Sequence, residues 1–146
     1  MRMRCKKAIL LLALTIACRE TNGPATANAR FELSNIDGRQ LPTYPAVTPG
    51  LTPTILSSTV TLYKDGTAAI TEHRTEWNGA DATSTLTYTY QIAGNQIAFE
   101  MSPPCPANAL CVAPPKGTIL GPLLSLEMGR INTYVIHYNY LLAPND

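Results

Sequence analysis

Histidine is almost missing from this chain: His73 and His137 are the only two among 146 residues. There is no H-E-x-x-H, no C-x-x-C and no other spacing that gathers metal ligands. The serines at Ser57, Ser58, Ser84, Ser102 and Ser125 never stand in a G-x-S-x-G turn, and no glycine-rich loop could cradle phosphate. These absences remove the usual frameworks for metal hydrolysis, nucleophilic catalysis and nucleotide binding. The expectation is a protein that is not an enzyme and takes neither metal nor cofactor. Basic clusters are missing too, beyond the first seven residues. With Arg2, Arg4, Lys6 and Lys7 set aside, seven basic residues face ten acidic ones, a net of −3. Nucleic acid is therefore not an expected partner. No window carries a 3.6-residue apolar period, and no apolar run reaches the roughly 20 residues a membrane helix needs.

What is present begins at the N-terminus, with MRMRCKKAILLLALTIAC. Four basic residues precede ten uncharged ones, Ala8 to Ala17, and Cys18 follows directly. Residues 1–17 read as an export signal. Thr15-Ile16-Ala17-Cys18 resembles the bacterial lipobox, in which a small residue precedes the cysteine that is acylated and becomes the new N-terminus. Cys18 is thus the expected lipidation site, carrying palmitate-type acyl chains. Ordinary cleavage after Ala27 or Ala29 is the alternative and would give a secreted protein, although both sites lie well past the apolar run. Arg19 stands where inner-membrane retention usually has Asp, so a host with two membranes would carry the protein on the outer one, facing the periplasm. Residues 18–29 are mostly small and polar and read as a flexible tether. The domain proper spans 30–146.

Cysteine parity agrees. Cys5 leaves with the signal and Cys18 takes lipid, so Cys105 and Cys111 remain as a pair. An oxidising compartment favours a disulfide between them, with metal binding as the alternative.

From Phe31 onward the chain is rich in Thr, Tyr, Val and Ile, in short runs cut by turn residues. Strands are expected near 30–36, 57–63, 67–77, 83–92, 96–101, 117–121, 123–129 and 133–141. The connection 37–56 holds Pro42, Pro45, Pro49 and Pro53, and is expected as irregular surface or as a lid over one end. Three hairpins can be tested for register, because a one-residue slip would turn every side chain to the wrong face. A turn at Gly94-Asn95 pairs Ile92 with Ile97, Tyr90 with Phe99 and Tyr88 with Met101. A three-residue loop at Lys64-Asp65-Gly66 pairs Leu62 with Ala68 and Val60 with Ile70. A similar loop at Arg130-Ile131-Asn132 pairs Met128 with Tyr134, Leu126 with Ile136 and Leu124 with Tyr138. Each register closes an apolar face. Sequential hairpins with one apolar side predict a single all-β domain: an up-and-down antiparallel meander of about eight strands, closed or nearly closed into a barrel.

FELSNIDGRQLP, TVTLYKDGT, TYQIAGNQIAFE and a closing tyrosine-rich strand resemble the lipocalin-like small β-barrels of bacterial lipoproteins. Those chains commonly show a strand ending in (V/I)xGxxLP, an LxLxxDGT hairpin and a YxxxGNxI hairpin. The resemblance covers about 110 residues and implies an eight-stranded meander on a lipid tether. The Gly-x-Trp of true lipocalins has no counterpart in the first strand, and the sole tryptophan, Trp77, comes at the end of the third.

Parity carried along from Ile70 puts Glu72, Arg74 and Glu76 on the apolar face. There they would line a lumen together with Tyr88, Tyr90, Tyr134 and Tyr138, as polar groups among aromatic walls orient a ligand. If the strand outruns the barrel, the same three charges lie on a wet surface instead. The functional expectation is a membrane-tethered envelope lipoprotein acting as an interaction or structural module towards another envelope protein, using the rigid 103–115 loop. The alternative is binding of a small apolar or amphipathic ligand in the lumen.

Overall fold

The structure is a computed structural model that describes residues 28–45, 53–131 and 134–144. The expected signal 1–17, Cys18, nearly all of the expected tether and the middle of the 37–56 connection lie outside the described residues. Nine strands succeed one another in order: β1 (Ala29–Ile36), β2 (Arg39–Gln40), β3 (Thr54–Leu62), β4 (Thr67–Thr75), β5 (Asp81–Ala93), β6 (Gln96–Met101), β7 (Lys116–Leu120), β8 (Leu123–Ile131) and β9 (Tyr134–Leu142). Each long strand pairs antiparallel with the next, and β1 pairs with β9, so eight strands close an up-and-down barrel with β2 as an extra short strand. Among the described residues there is no helix.

Local chemistry accounts for the hairpins. The β3–β4 turn is closed by the Tyr63 amide donating to the Thr67 carbonyl at 2.8 Å, with Gly66 at φ 85°. A side chain there would be strained, and glycine avoids that cost. Leu62 faces Ala68 and Val60 faces Ile70 as expected. At the β5–β6 turn, Gly94 takes φ 60°, and Ile92–Ile97, Tyr90–Phe99 and Tyr88–Met101 pair as expected.

The β8–β9 hairpin corrects the expectation by two residues. Leu126 faces Tyr138 and Leu124 faces Tyr140, while the strands run on to Ile131 and Tyr134. A bulge between Glu127 and Gly129 lets the longer ribbon coil. The expected partner pairs were Leu126–Ile136, Leu124–Tyr138 and Met128–Tyr134, whereas Tyr134 pairs with Ile131 and Met128 falls in the bulge. Because the displacement is two residues, the apolar face still meets an apolar face, so patterning alone could not distinguish the two registers.

The connection after β1 is not a simple lid. Asn35 and Ile36 pair with β9 on one side and with β2 on the other, where Phe31 and Glu32 lower down pair with β3. Strands β1 and β3 therefore diverge upward, and residues 39–43 wedge between them. Thr43 bridges Ile55 through two backbone hydrogen bonds of 3.0 and 2.6 Å. Thr43 is buried, and Leu41 packs on the core.

Inward residues fill the barrel. Val60, Leu62, Ile97, Leu124, Leu126 and Tyr140 are almost wholly buried, as expected for a barrel of eight strands whose interior is just wide enough for side chains. Tyr88 meets Phe99 edge to face at a centroid distance of 5.7 Å, and Tyr138 lies 6.3 Å from Tyr140. The described chain enters and leaves at one end, where the Ala143 amide donates to the Arg30 carbonyl. This end is called lower. The upper end carries the β1–β2 and β4–β5 turns, the wedge and the loop 102–115.

Candidate functional site

Chemistry concentrates at the upper end because the wall there is uneven. Strand β6 stops at Met101, opposite Tyr88, whereas β5 runs on to Asp81 with only β4 beside it. Leu86 registers the gap. It faces Ile70, which is 5% exposed, yet is itself 46% exposed, since no β6 neighbour covers it.

Glu72, Arg74 and Glu76 occupy the inward face of that rising ribbon. The Arg74 Nε donates to Glu76 Oε1 at 2.7 Å, and its Nη1 reaches Glu72 Oε1 at 3.3 Å and Ser84 Oγ at 3.0 Å. The three charged side chains are between 20% and 27% exposed. Neither expected extreme holds: the stripe faces the lumen, but at its open mouth. Burial pushes the Glu72 carboxyl above the usual carboxylate range, against the pull of Arg74 and of the Tyr138 hydroxyl beside it. Hydrogen bonding to Glu76 helps keep Arg74 charged. Arg74 thus commits Nε and Nη1 within its own chain and ties β4 to β5 through Ser84. The group sets two carboxyls against one guanidinium.

The six expected lining residues separate by height. Glu72, Arg74 and Tyr138 come together near the mouth. Tyr138 is buried, which raises its hydroxyl's pKa far above normal, with Glu72 adding to the effect. Tyr88 is buried lower, where desolvation raises its pKa. Tyr90 lies at the lower end, its hydroxyl donating to the Tyr63 carbonyl at 2.8 Å. Tyr134 shares the inward parity but stands half exposed at the rim, and the Asp37 carboxyl beside it raises its pKa. Two contributors were missed. Ser58 is 3% exposed and exchanges a 3.1 Å hydrogen bond with Tyr140, whose hydroxyl is also pushed well up by burial. Parity from Val60 and Leu62 would have turned Ser58 inward. Its partner 82 residues away was not readable.

The second feature of the upper end is the loop 102–115. Cys105 and Cys111 form the expected disulfide. From Met101 to Pro115 no residue is charged. Leu110 is fully exposed and Val112 is 71% exposed. Together with Met101, Pro104 and Pro114 they line a groove of about 460 Å³. His73 and His137 lie on the outer faces of β4 and β9, in register with Ser57 and Glu127 respectively. Among the described residues no group of three His, Cys, Asp or Glu side chains could hold a metal ion.

Comparison with protein-family models, with curated proteins and with solved structures finds no match. The closed eight-stranded barrel is consistent with the lipocalin-like architecture that the hairpin motifs implied.

Proposed function

We propose that this chain is an envelope lipoprotein, acylated at Cys18, whose non-catalytic barrel presents the loop 102–115 to another envelope protein. One observation carries the reading. Leu110 and Val112 are exposed on an uncharged loop that a disulfide and several prolines hold in shape, at the barrel end opposite the chain's entry. Exposed apolar side chains of this kind commonly mark interaction sites. Holding them rigid in advance reduces the ordering cost of association. The signal-like 1–17 segment and Arg19 support a place on the outer membrane where the host has two membranes, and otherwise on the single one. The lumen is a weaker candidate for ligand carriage, because its lower part is filled and Arg74 at its mouth already has internal partners.

Two experiments test this. Labelling host cells with an alkyne fatty acid should tag the wild type and not Cys18→Ser; equal labelling refutes acylation at that residue. A photo-crosslinking residue at position 110 should capture one discrete partner in intact cells, and the purified wild-type domain should compete it away. Competition by a Leu110→Asp/Val112→Asp domain as strong as by wild type would sink the loop as the contact.

A further inference from the structure

The lower rim carries an apolar row for which the core has no use. Leu120 faces Leu123 across the β7–β8 turn, and Leu123 faces Leu141 on β9. The inward positions are taken by the neighbours Leu124 and Tyr140, both wholly buried, so these three leucines point outward. They are 56%, 36% and 48% exposed. Leu142, tied to the turn by its amide donating to the Pro122 carbonyl at 2.8 Å, adds a fourth, 43% exposed at the lower mouth. The next row up is polar and internally bonded. Thr118, Ser125, Asn139 and Asn35 lie in register, Ser125 Oγ donates to Asn139 Oδ1 at 2.8 Å, and Asn139 Nδ2 donates to Asn35 Oδ1 at 2.9 Å. The apolar band is therefore one row deep and confined to the rim.

Its place in the chain says what covers it. Strand β1 begins with Ala29 at this same end and lies beside β9 with Glu32 opposite Leu141. Only ten residues, Arg19 to Asn28, separate Cys18 from the barrel, a reach of at most about 35 Å even if fully extended. Nine-residue strands tilted as in a closed barrel give a height of about 20–25 Å, so the upper end could meet the same surface only with the barrel inverted and most of the tether's reach spent running back along the wall. Along β1 the row is bordered by the Arg30–Glu32 ion pair at 3.1 Å, which adds no net charge to repel a headgroup layer.

We infer that the Leu120, Leu123, Leu141 and Leu142 rim is a lipid-contacting surface that seats the barrel upright on the membrane holding Cys18. This rests on the acylation proposed above and goes further: the leucines orient the barrel so that the loop 102–115 faces away from the bilayer. A shallow apolar edge of one row matches insertion at the headgroup–acyl boundary, and it is too thin to span.

Trp77, 80% exposed in the β4–β5 turn at the opposite end, supplies an internal control. The full acylated chain, extracted from its host, is reconstituted in phosphatidylcholine–phosphatidylglycerol vesicles whose acyl chains are brominated near the headgroup. Emission from the native Trp77 should be unquenched. In the Trp77→Phe/Leu123→Trp variant emission should shift blue and fall about twofold or more, since a rim residue about 5–10 Å into the boundary meets the bromines. Trp77→Phe/Leu141→Trp should behave alike, which guards against one variant misfolding. Flotation of the same samples separates the two readings. A chain that floats while both rim tryptophans stay unquenched overturns the lipid contact alone and leaves the rim to a protein or a second copy. A chain that does not float overturns the anchor, and the rim proposal with it.

Discussion

The lower and upper halves of the barrel share strands, alternation and inward parity, yet one is a dry core and the other a wet, charged mouth. Below, Phe31, Leu62, Ala68, Tyr88, Ile97, Leu124 and Tyr140 come from β1, β3, β4, β5, β6, β8 and β9 and bury one another in a single cluster. Above, β4 and β5 continue while β6 ends at Met101, and the same parity delivers Glu72, Arg74, Ser84 and Leu86 to a wall with a gap. Facing inward is not the same as being buried. Burial also needs adjacent strands to reach the same height.

The sharpest way to test that contrast uses one residue type at two heights. Leu126→Ala, at a fully buried position, should lose about 2–5 kcal/mol in urea unfolding, because transfer and cavity costs both apply. A loss below about 1 kcal/mol would mean that the lower barrel is loosely packed.

Next in size is the loop. Cys105→Ser should cost about 2 kcal/mol or less, since the disulfide closes only a short ring and acts chiefly on the unfolded chain. A larger loss would show that the loop is part of the core's cooperative unit.

At the mouth, Arg74→Met should cost about 1–2 kcal/mol, between the values for exposed and for buried pairs, because its partners keep partial contact with water. A loss of about 3–5 kcal/mol would place the stripe in a sealed lumen, and one below about 0.5 kcal/mol on an open surface. Glu72 gives this region a pH signature. Its carboxyl titrates higher when folded, chiefly through burial, so the native state holds that proton more tightly than the unfolded chain does. The contribution is present below the ordinary value of 4.5 and is lost as pH rises through the folded one. The wild type should therefore lose stability relative to Glu72→Gln as pH is raised from about 4 to 7 in matched urea titrations. The reverse trend would mean that Arg74 outweighs desolvation.

The smallest effect completes the pair. Leu86→Ala shares the inward parity of Leu126 but is nearly half exposed, so urea unfolding should register a loss under about 1 kcal/mol. Equal losses at 86 and 126 would erase the distinction between the two halves.

Legibility divided along the same line. Residues Glu72 and Arg74 could be assigned their face from Ile70 by counting in twos, and the Cys105–Cys111 bond from cysteine parity. How far Tyr90 lies from Tyr138 could not be read. The two tyrosines look equivalent by alternation, yet the first bonds the Tyr63 carbonyl at the lower turn and the second sits beside Glu72 at the mouth. Strand β2 was missed because two residues among prolines carry no period. The start of β3 was placed late because the 55–57 bulge breaks its alternation.

Alternation and turn chemistry are local, spanning two to five residues, and by themselves they determined the all-β class, the Gly66 and Gly94 hairpins and the apolar faces of β3, β4, β5, β6, β8 and β9. Closure of β1 on β9, the wedge of 39–43, the two-residue offset of β8 and the height at which β6 stops were decided by tertiary structure alone. Each of these depends on strands up to a hundred residues apart meeting at a particular level. A period of two is blind to level, because sliding a strand by two residues leaves every face as it was.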